Sequence, residues 1–200
     1  MHQVKLHPTS GNPLPRGAEC VELLTRDGVR LRALRALPPG PSRGTVVIVG
    51  GRGDFMERYF ETMRELLARG LAVAAIDLRG QGGSQRTEPE PYRDRTTSFE
   101  PFEEDLRTLI EGLVLPTCPA PYYALGHSTG AHVLLRALTK HNWFARAVLV
   151  SPLVEIMYGP WPRPIVNLLV NTMWFTRRHG WFLPGVHKKP MGRADFAGNL

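Results

Sequence analysis

Two cysteines in 200 residues, Cys20 and Cys118, lie too far apart and too alone to form a disulfide framework. No CxxC or Cys/His spacing occurs, so no zinc site is expected, and both thiols are read as buried. Nowhere does the chain carry the roughly 20 consecutive apolar residues of a spanning helix. Met1 to Cys20 has no apolar run behind its basic residues, so no secretory signal is read there, and the expectation is a cytoplasmic protein. There is no GxxxxGK[ST], and a dinucleotide fingerprint opening at Gly51 would need glycine where Met56 stands. No cofactor and no metal are expected. Basic residues outnumber acidic ones, for a net charge of +7, but they are scattered. That argues against a nucleic-acid partner and leaves an anionic membrane surface as a compatible peripheral contact. The oligomeric state is not legible.

What is present is the composition of one ordinary globular domain, 42% apolar and 22% charged. Val21 to Arg26 and Val29 to Ala36 read as two strands joined at Asp27-Gly28, a strong hairpin signal. Thr45 to Val49 is a continuous apolar run, as in a strand buried on both faces. Asp54 and Glu57 have capping-box spacing, and Phe55, Met56, Tyr59, Phe60, Met63, Leu66 and Leu67 recur at helical period until Gly70. Leu71 to Ile76 is a second buried strand, followed by a long polar loop with Asp77-Leu78-Arg79-Gly80-Gln81-Gly82-Gly83-Ser84. Thr97 and Glu100 suggest another capping box, and Phe99, Phe102, Leu106, Leu109, Ile110 and Leu113 line a second helix. Tyr122 to Leu125 reads as a strand, Ser128 to Lys140 as a helix and Ala145 to Val150 as a strand. Such alternation implies an α/β fold with a mostly parallel sheet covered by helices on both faces, opened by an antiparallel hairpin.

Between a short strand and an amphipathic helix stands Gly126-His127-Ser128-Thr129-Gly130. A GxSxG pentapeptide alone is a weak signal, and Ser128 could be an ordinary N-cap. In a strand-to-helix turn it fits a nucleophile elbow, where the serine takes a strained conformation and Gly126 and Gly130 relieve contacts. The helix N-terminus then favours negative charge developing at the site. Gly50-Gly51-Arg52-Gly53-Asp54, directly after the first buried parallel strand, is either a bland glycine-rich turn or the second half of an oxyanion hole.

The run Gly50 to Tyr59, the Asp77 to Ser84 segment, the elbow, and the exit Ser151-Pro152-Leu153, in that order, resemble bacterial lysophospholipases and the related monoacylglycerol lipases over about residues 15–175. The resemblance implies the α/β-hydrolase fold and a small lipid ester as substrate. It places the nucleophile on Ser128, the oxyanion hole on the backbone N–H groups of Arg52 and Thr129, and a structural turn on Asp77 to Ser84. It implies no cofactor and no metal. Residues 1–152 are then the N-terminal part of the core, and residues 153–200 the beginning of a cap. There Ile165 to Phe175, followed by Arg177, Arg178, Trp181 and Phe182, is either a helix lying on lipid or an ordinary buried cap helix.

The sequence departs from the family where an acid and then a histidine should follow the cap. Glu155 and Asp195, with His132, His141, His179 and His187, do not reproduce that order and context. His132 is one turn along the helix from Ser128 and points away from the hydroxyl. The expectation is therefore a C-terminally truncated or longer serine ester hydrolase. The alternatives are a non-catalytic remnant binding lipid or a partner, and a serine aminopeptidase-like hydrolase of the same fold.

Overall fold

The structure is a computed structural model and describes residues 5–87, 98–155 and 162–176. Its strands are β1 (Glu19–Leu24), β2 (Arg30–Ala36), β3 (Thr45–Val49), β4 (Ala72–Ile76), β5 (Tyr122–His127) and β6 (Arg146–Val150). They form one sheet in the order β1-β2-β4-β3-β5-β6, antiparallel on either side of β2 and parallel from β4 to β6. The mostly parallel α/β-hydrolase sheet expected from the sequence is thus present.

The opening hairpin turns more widely than a two-residue loop. The ladder ends at the pair Leu24 and Arg30, and the Thr25 N–H donates to the Val29 carbonyl at 3.0 Å. Gly28, at φ +82°, takes the left-handed position of a three-residue loop, and Thr25 Oγ1 accepts from the Val29 N–H.

All five residues of β3 and all five of β4 are buried, which is why their sequences do not alternate. One face of the sheet is covered by α1 (Phe60–Ala68), which buries Phe60, Met63 and Leu67 against Leu34, Ile48, Val73 and Ala75. Each fully buried side chain of this size contributes about 1.5–3 kcal/mol. The other face is covered by α2 (Glu100–Leu109), which continues through a π-turn (Ile110–Val114) into the short α3 (Leu115–Thr117), and by α4 (Thr129–Leu138).

The capping box expected at Asp54 and Glu57 does not form. Met56–Tyr59 is a 3₁₀ turn without a side-chain cap from its own segment, and the Met56 N–H donates instead to Asp77 Oδ1 at 2.8 Å. Glu57 is fully buried and pairs with Arg32. At the start of α2 the residue before Glu100 is Phe99, with no side-chain cap, and Thr97 lies outside the described residues. The described chain divides into two compact units near Leu153. The second contains α5 (Arg163–Phe175), on which Ile165, Leu168, Leu169, Val170 and Phe175 are exposed. Arg177, Arg178, Trp181 and Phe182 lie outside the described residues, as do Asp195, His179 and His187.

Candidate active site

β5 delivers Ser128 at the C-terminal end of the parallel strands, and α4 begins at the next residue. Between them Ser128 sits at φ 50° and ψ −114°, a region L-residues enter only when the surroundings compel it. The surroundings do so through backbone. The Ser128 N–H donates to the Val150 carbonyl at 3.0 Å, and the Ser128 carbonyl accepts from His132 and Leu153 N–H at 3.1 Å each.

The flanking glycines are steric requirements of the same turn. A Cβ on Gly126 would lie 2.7 Å from Ala131 Cα, and one on Gly130 would lie 2.2 Å from the Val49 carbonyl oxygen. Only hydrogen fits at either place, so α4 can close onto β5 at Gly126 and onto the end of β3 at Gly130. Ser128 is half-buried, Thr129 is buried, and Arg52 is exposed.

The loop Gly50-Gly51-Arg52-Gly53-Asp54 leaves β3 and lies directly against the elbow. A Cβ on Gly51 would be 3.1 Å from Ser128 Cβ and 2.9 Å from His127 Nδ1. The structure therefore brings the segment bearing the Arg52 N–H beside the segment bearing Ser128 and the Thr129 N–H. Two chain-separated backbone donors flanking a serine at a helix N-terminus can hold an oxyanion formed on a group attached to that serine. Thr129 Oγ1 is buried and without a hydrogen-bond partner among the described residues.

The described histidines following Ser128 are engaged elsewhere. His132 packs its ring against Phe99, centroids 4.2 Å apart, and His141 stacks on Trp143 at 3.9 Å. His127, immediately before the serine, turns its Nδ1 to Asp54 Oδ2 at 3.3 Å. Among the described residues no group of three or more His, Cys, Asp or Glu could hold a metal ion.

Two buried ionic centres behind the site escape sequence reasoning. In the first, Arg32 of β2 donates from Nη1 and Nη2 to the two oxygens of Glu57, each at 2.7 Å, and from Nε to Asp77 Oδ2 at 2.7 Å. Asp77 also accepts from the Gly83 N–H. Burial pushes the Asp77 carboxyl up to about 6, against the pull of Arg32 and the backbone donors. In the second, Arg79 bridges Asp105 of α2 and Asp27 of the hairpin loop. Burial raises Asp105 to about 6, whereas Asp27 is held down to about 2 by its bonds from Arg79 and Thr25. Together these centres pin the Asp77 to Ser84 loop, and Gln81 from that loop accepts from the Gly53 N–H. An arginine between Leu31 and Ala33 on β2, and an aspartate directly after a buried strand, were the available signals.

The comparisons agree with this geometry. The family model described as "Serine aminopeptidase, S33" matches residues 40–189. The human monoglyceride lipase is 31% identical over 133 residues, covering 66% of this chain and 42% of that protein. Lysophospholipase L2 of Escherichia coli (strain K12) is 31% identical over 113 residues, covering 56% and 33%. This chain thus spans well under half the length of those relatives. Among solved structures, an α/β-hydrolase from a Penicillium species superposes with a TM-score of 0.62 at 22% identity, over 88% of this chain and 62% of that one. The sheet order, the elbow and the match across three-quarters of its length place the chain in the serine aminopeptidase S33 family of α/β-hydrolases.

Proposed function

We propose that this chain is the nucleophile-bearing part of a serine hydrolase that cleaves the carboxylic ester of a single-chain lipid, a lysophospholipid or a monoacylglycerol. The observation that carries the reading is Ser128, held at φ 50° on a strand-to-helix turn with the glycine loop against it. In this reading Ser128 Oγ adds to the ester carbonyl and its proton passes to a base. The Arg52 and Thr129 N–H groups receive the developing oxyanion. Collapse expels the alcohol, and water then releases the fatty acid from the acyl-serine.

The substrate class is supported by the relatives named monoglyceride lipase and lysophospholipase L2. The family's description as a serine aminopeptidase favours a second reading, amide cleavage at a peptide N-terminus, which uses the same elbow. The net charge of +7 and the exposed apolar residues of α5 support peripheral contact with an anionic membrane from the cytoplasmic side.

The native gene product tests the reading. Its intact mass is measured first, against the 22.4 kDa of this chain. It is then assayed on lysophosphatidylcholine, monoacylglycerol and an aminoacyl amide. Ester hydrolysis lost in Ser128→Ala supports the proposal. Amide hydrolysis alone transfers it to the peptidase reading, and hydrolysis that survives Ser128→Ala refutes the assignment of the nucleophile.

A further inference from the structure

One carboxylate oxygen joins the loop and the elbow. Asp54 Oδ2 accepts from the Gly51 N–H at 2.9 Å and from the Tyr59 hydroxyl at 2.7 Å, and lies 3.3 Å from His127 Nδ1. The other oxygen, Oδ1, faces Arg58 Nη1 at 3.1 Å. The Asp54 N–H returns a bond to the Gly51 carbonyl at 3.2 Å, so Arg52 and Gly53 are closed into a small ring fastened at both ends. The Asp54 side chain is 11% exposed.

The contact is tight on every side. A Cβ on Gly50 would meet Asp54 Cβ at 3.0 Å and the Tyr59 ring at 3.2 Å, and one on Gly51 would meet Asp54 Oδ2 at 3.2 Å. The charged and titratable groups facing Asp54 are Tyr59, Arg58 and His127. Burial alone would raise its pKa. Donation from Tyr59, the Gly51 N–H and His127, with the charge of Arg58, outweighs burial and holds the carboxyl below its ordinary range.

We propose that Asp54 is a positioning residue that clamps the Arg52 N–H in register with Ser128, using His127 as the anchor on the elbow and Tyr59 as the anchor on the helix side. The proposal rests on the hydrolase reading of the site. Its physical content is that the glycine loop bearing the oxyanion donor is fastened to the elbow and to the Tyr59 segment through one shared carboxylate, in addition to the Gly53 bond to Gln81. A misplaced donor weakens stabilisation of the transition state while leaving ground-state binding of the ester unchanged.

The test uses Asp54→Asn in the full-length native gene product, with two readouts. On a soluble short-chain ester such as p-nitrophenyl butyrate, kcat falls roughly 10- to 100-fold while KM stays within about twofold. By NMR, the Gly51 amide proton of the wild type shifts as Asp54 titrates at acid pH, and that titration vanishes in Asp54→Asn. Tyr59→Phe, which keeps the ring against Gly50 and removes one donor, lowers kcat by a smaller factor in the same direction and serves if Asp54→Asn does not fold. An unchanged kcat in either folded variant, or a Gly51 amide that does not titrate in the wild type, overturns the clamp. Failure of the hydrolase reading is seen separately, as a wild-type protein that hydrolyses no ester or as hydrolysis that survives Ser128→Ala, while the Gly51 titration still reports on the clamp.

Discussion

Replacing Gly130 by alanine should be among the most damaging single-methyl changes in this chain. The added carbon would sit 2.2 Å from the Val49 carbonyl oxygen, 2.4 Å from that of Gly50 and 2.6 Å from the Val49 carbonyl carbon. All three are backbone atoms, so no rotamer change relieves the overlap, and α4 must separate from the end of β3 by about 1 Å to restore ordinary contact. Overpacking of this kind costs about 2–4 kcal/mol, close to the upper end of single-residue effects. For a chain of this size that lowers Tm by roughly 5–15 °C. Two alanine controls isolate the cause by urea and thermal unfolding. Gly40 has nothing within 4 Å of the added carbon and should change stability little, while Gly28, at φ +82° in open space, should show only the conformational penalty of about 1–2 kcal/mol. The reasoning is refuted if Gly130→Ala unfolds within about 0.5 kcal/mol of Gly28→Ala.

Removing the cation of the first buried centre by Arg32→Ala leaves Glu57 and Asp77 without their partner and should cost about 3–5 kcal/mol by urea denaturation, whereas Asp77→Asn should cost less. The raised carboxyls set a pH dependence. Asp77 and Asp105 titrate near 6 in the folded chain and near 3.9 when unfolded, so the folded state binds protons more tightly between these values. Their contribution to stability therefore falls as pH rises from about 4 to about 6 and is level above; the urea midpoint of Asp77→Asn should fall less over that range, and an equal slope in both proteins counts against it. Asp27, held down to about 2, acts in the opposite sense, its stabilisation being lost as pH drops below about 4. On β6, Val148 and Val150 are 59% and 45% exposed among the described residues, so Val148→Lys should change the unfolding free energy of this 200-residue chain by no more than about 0.5 kcal/mol in urea.

The elements that carry the fold were legible because their signals are local. Thr45 to Val49 coincides with β3, Leu71 to Ile76 contains β4, and the helical period read from Phe55 is a 3₁₀ turn at its start, becomes α-helix at Phe60 and stops before Gly70, which sits at φ +76°. The elbow was legible because glycine, serine and the strand-to-helix change coincide within five residues. The capping box at Asp54 and Glu57 misled because the same spacing serves any acid pair on one turn. Which partner each acid takes was decided by groups elsewhere in the chain, Arg32 for Glu57 and the Gly51 N–H for Asp54. Arg32 and Asp77 are 45 positions apart, and their meeting depends on β2 pairing with β4, a register that no local pattern reports. Asp27 of the wider hairpin loop is likewise taken by a distant partner, Arg79 from the loop after β4.

The backbone bonds that hold Ser128 in its strained conformation run to Val150 and Leu153, at the exit of the outermost strand of the described sheet. Amides that open as one cooperative unit exchange together. When β6 opens, the serine loses the two contacts that oppose relaxation of its φ and ψ, so nucleophile geometry lasts only as long as β6 stays paired. The amide of Ser128 should accordingly exchange with solvent deuterium together with those of β6. Whatever stabilises β6 would slow exchange at the nucleophile without touching it.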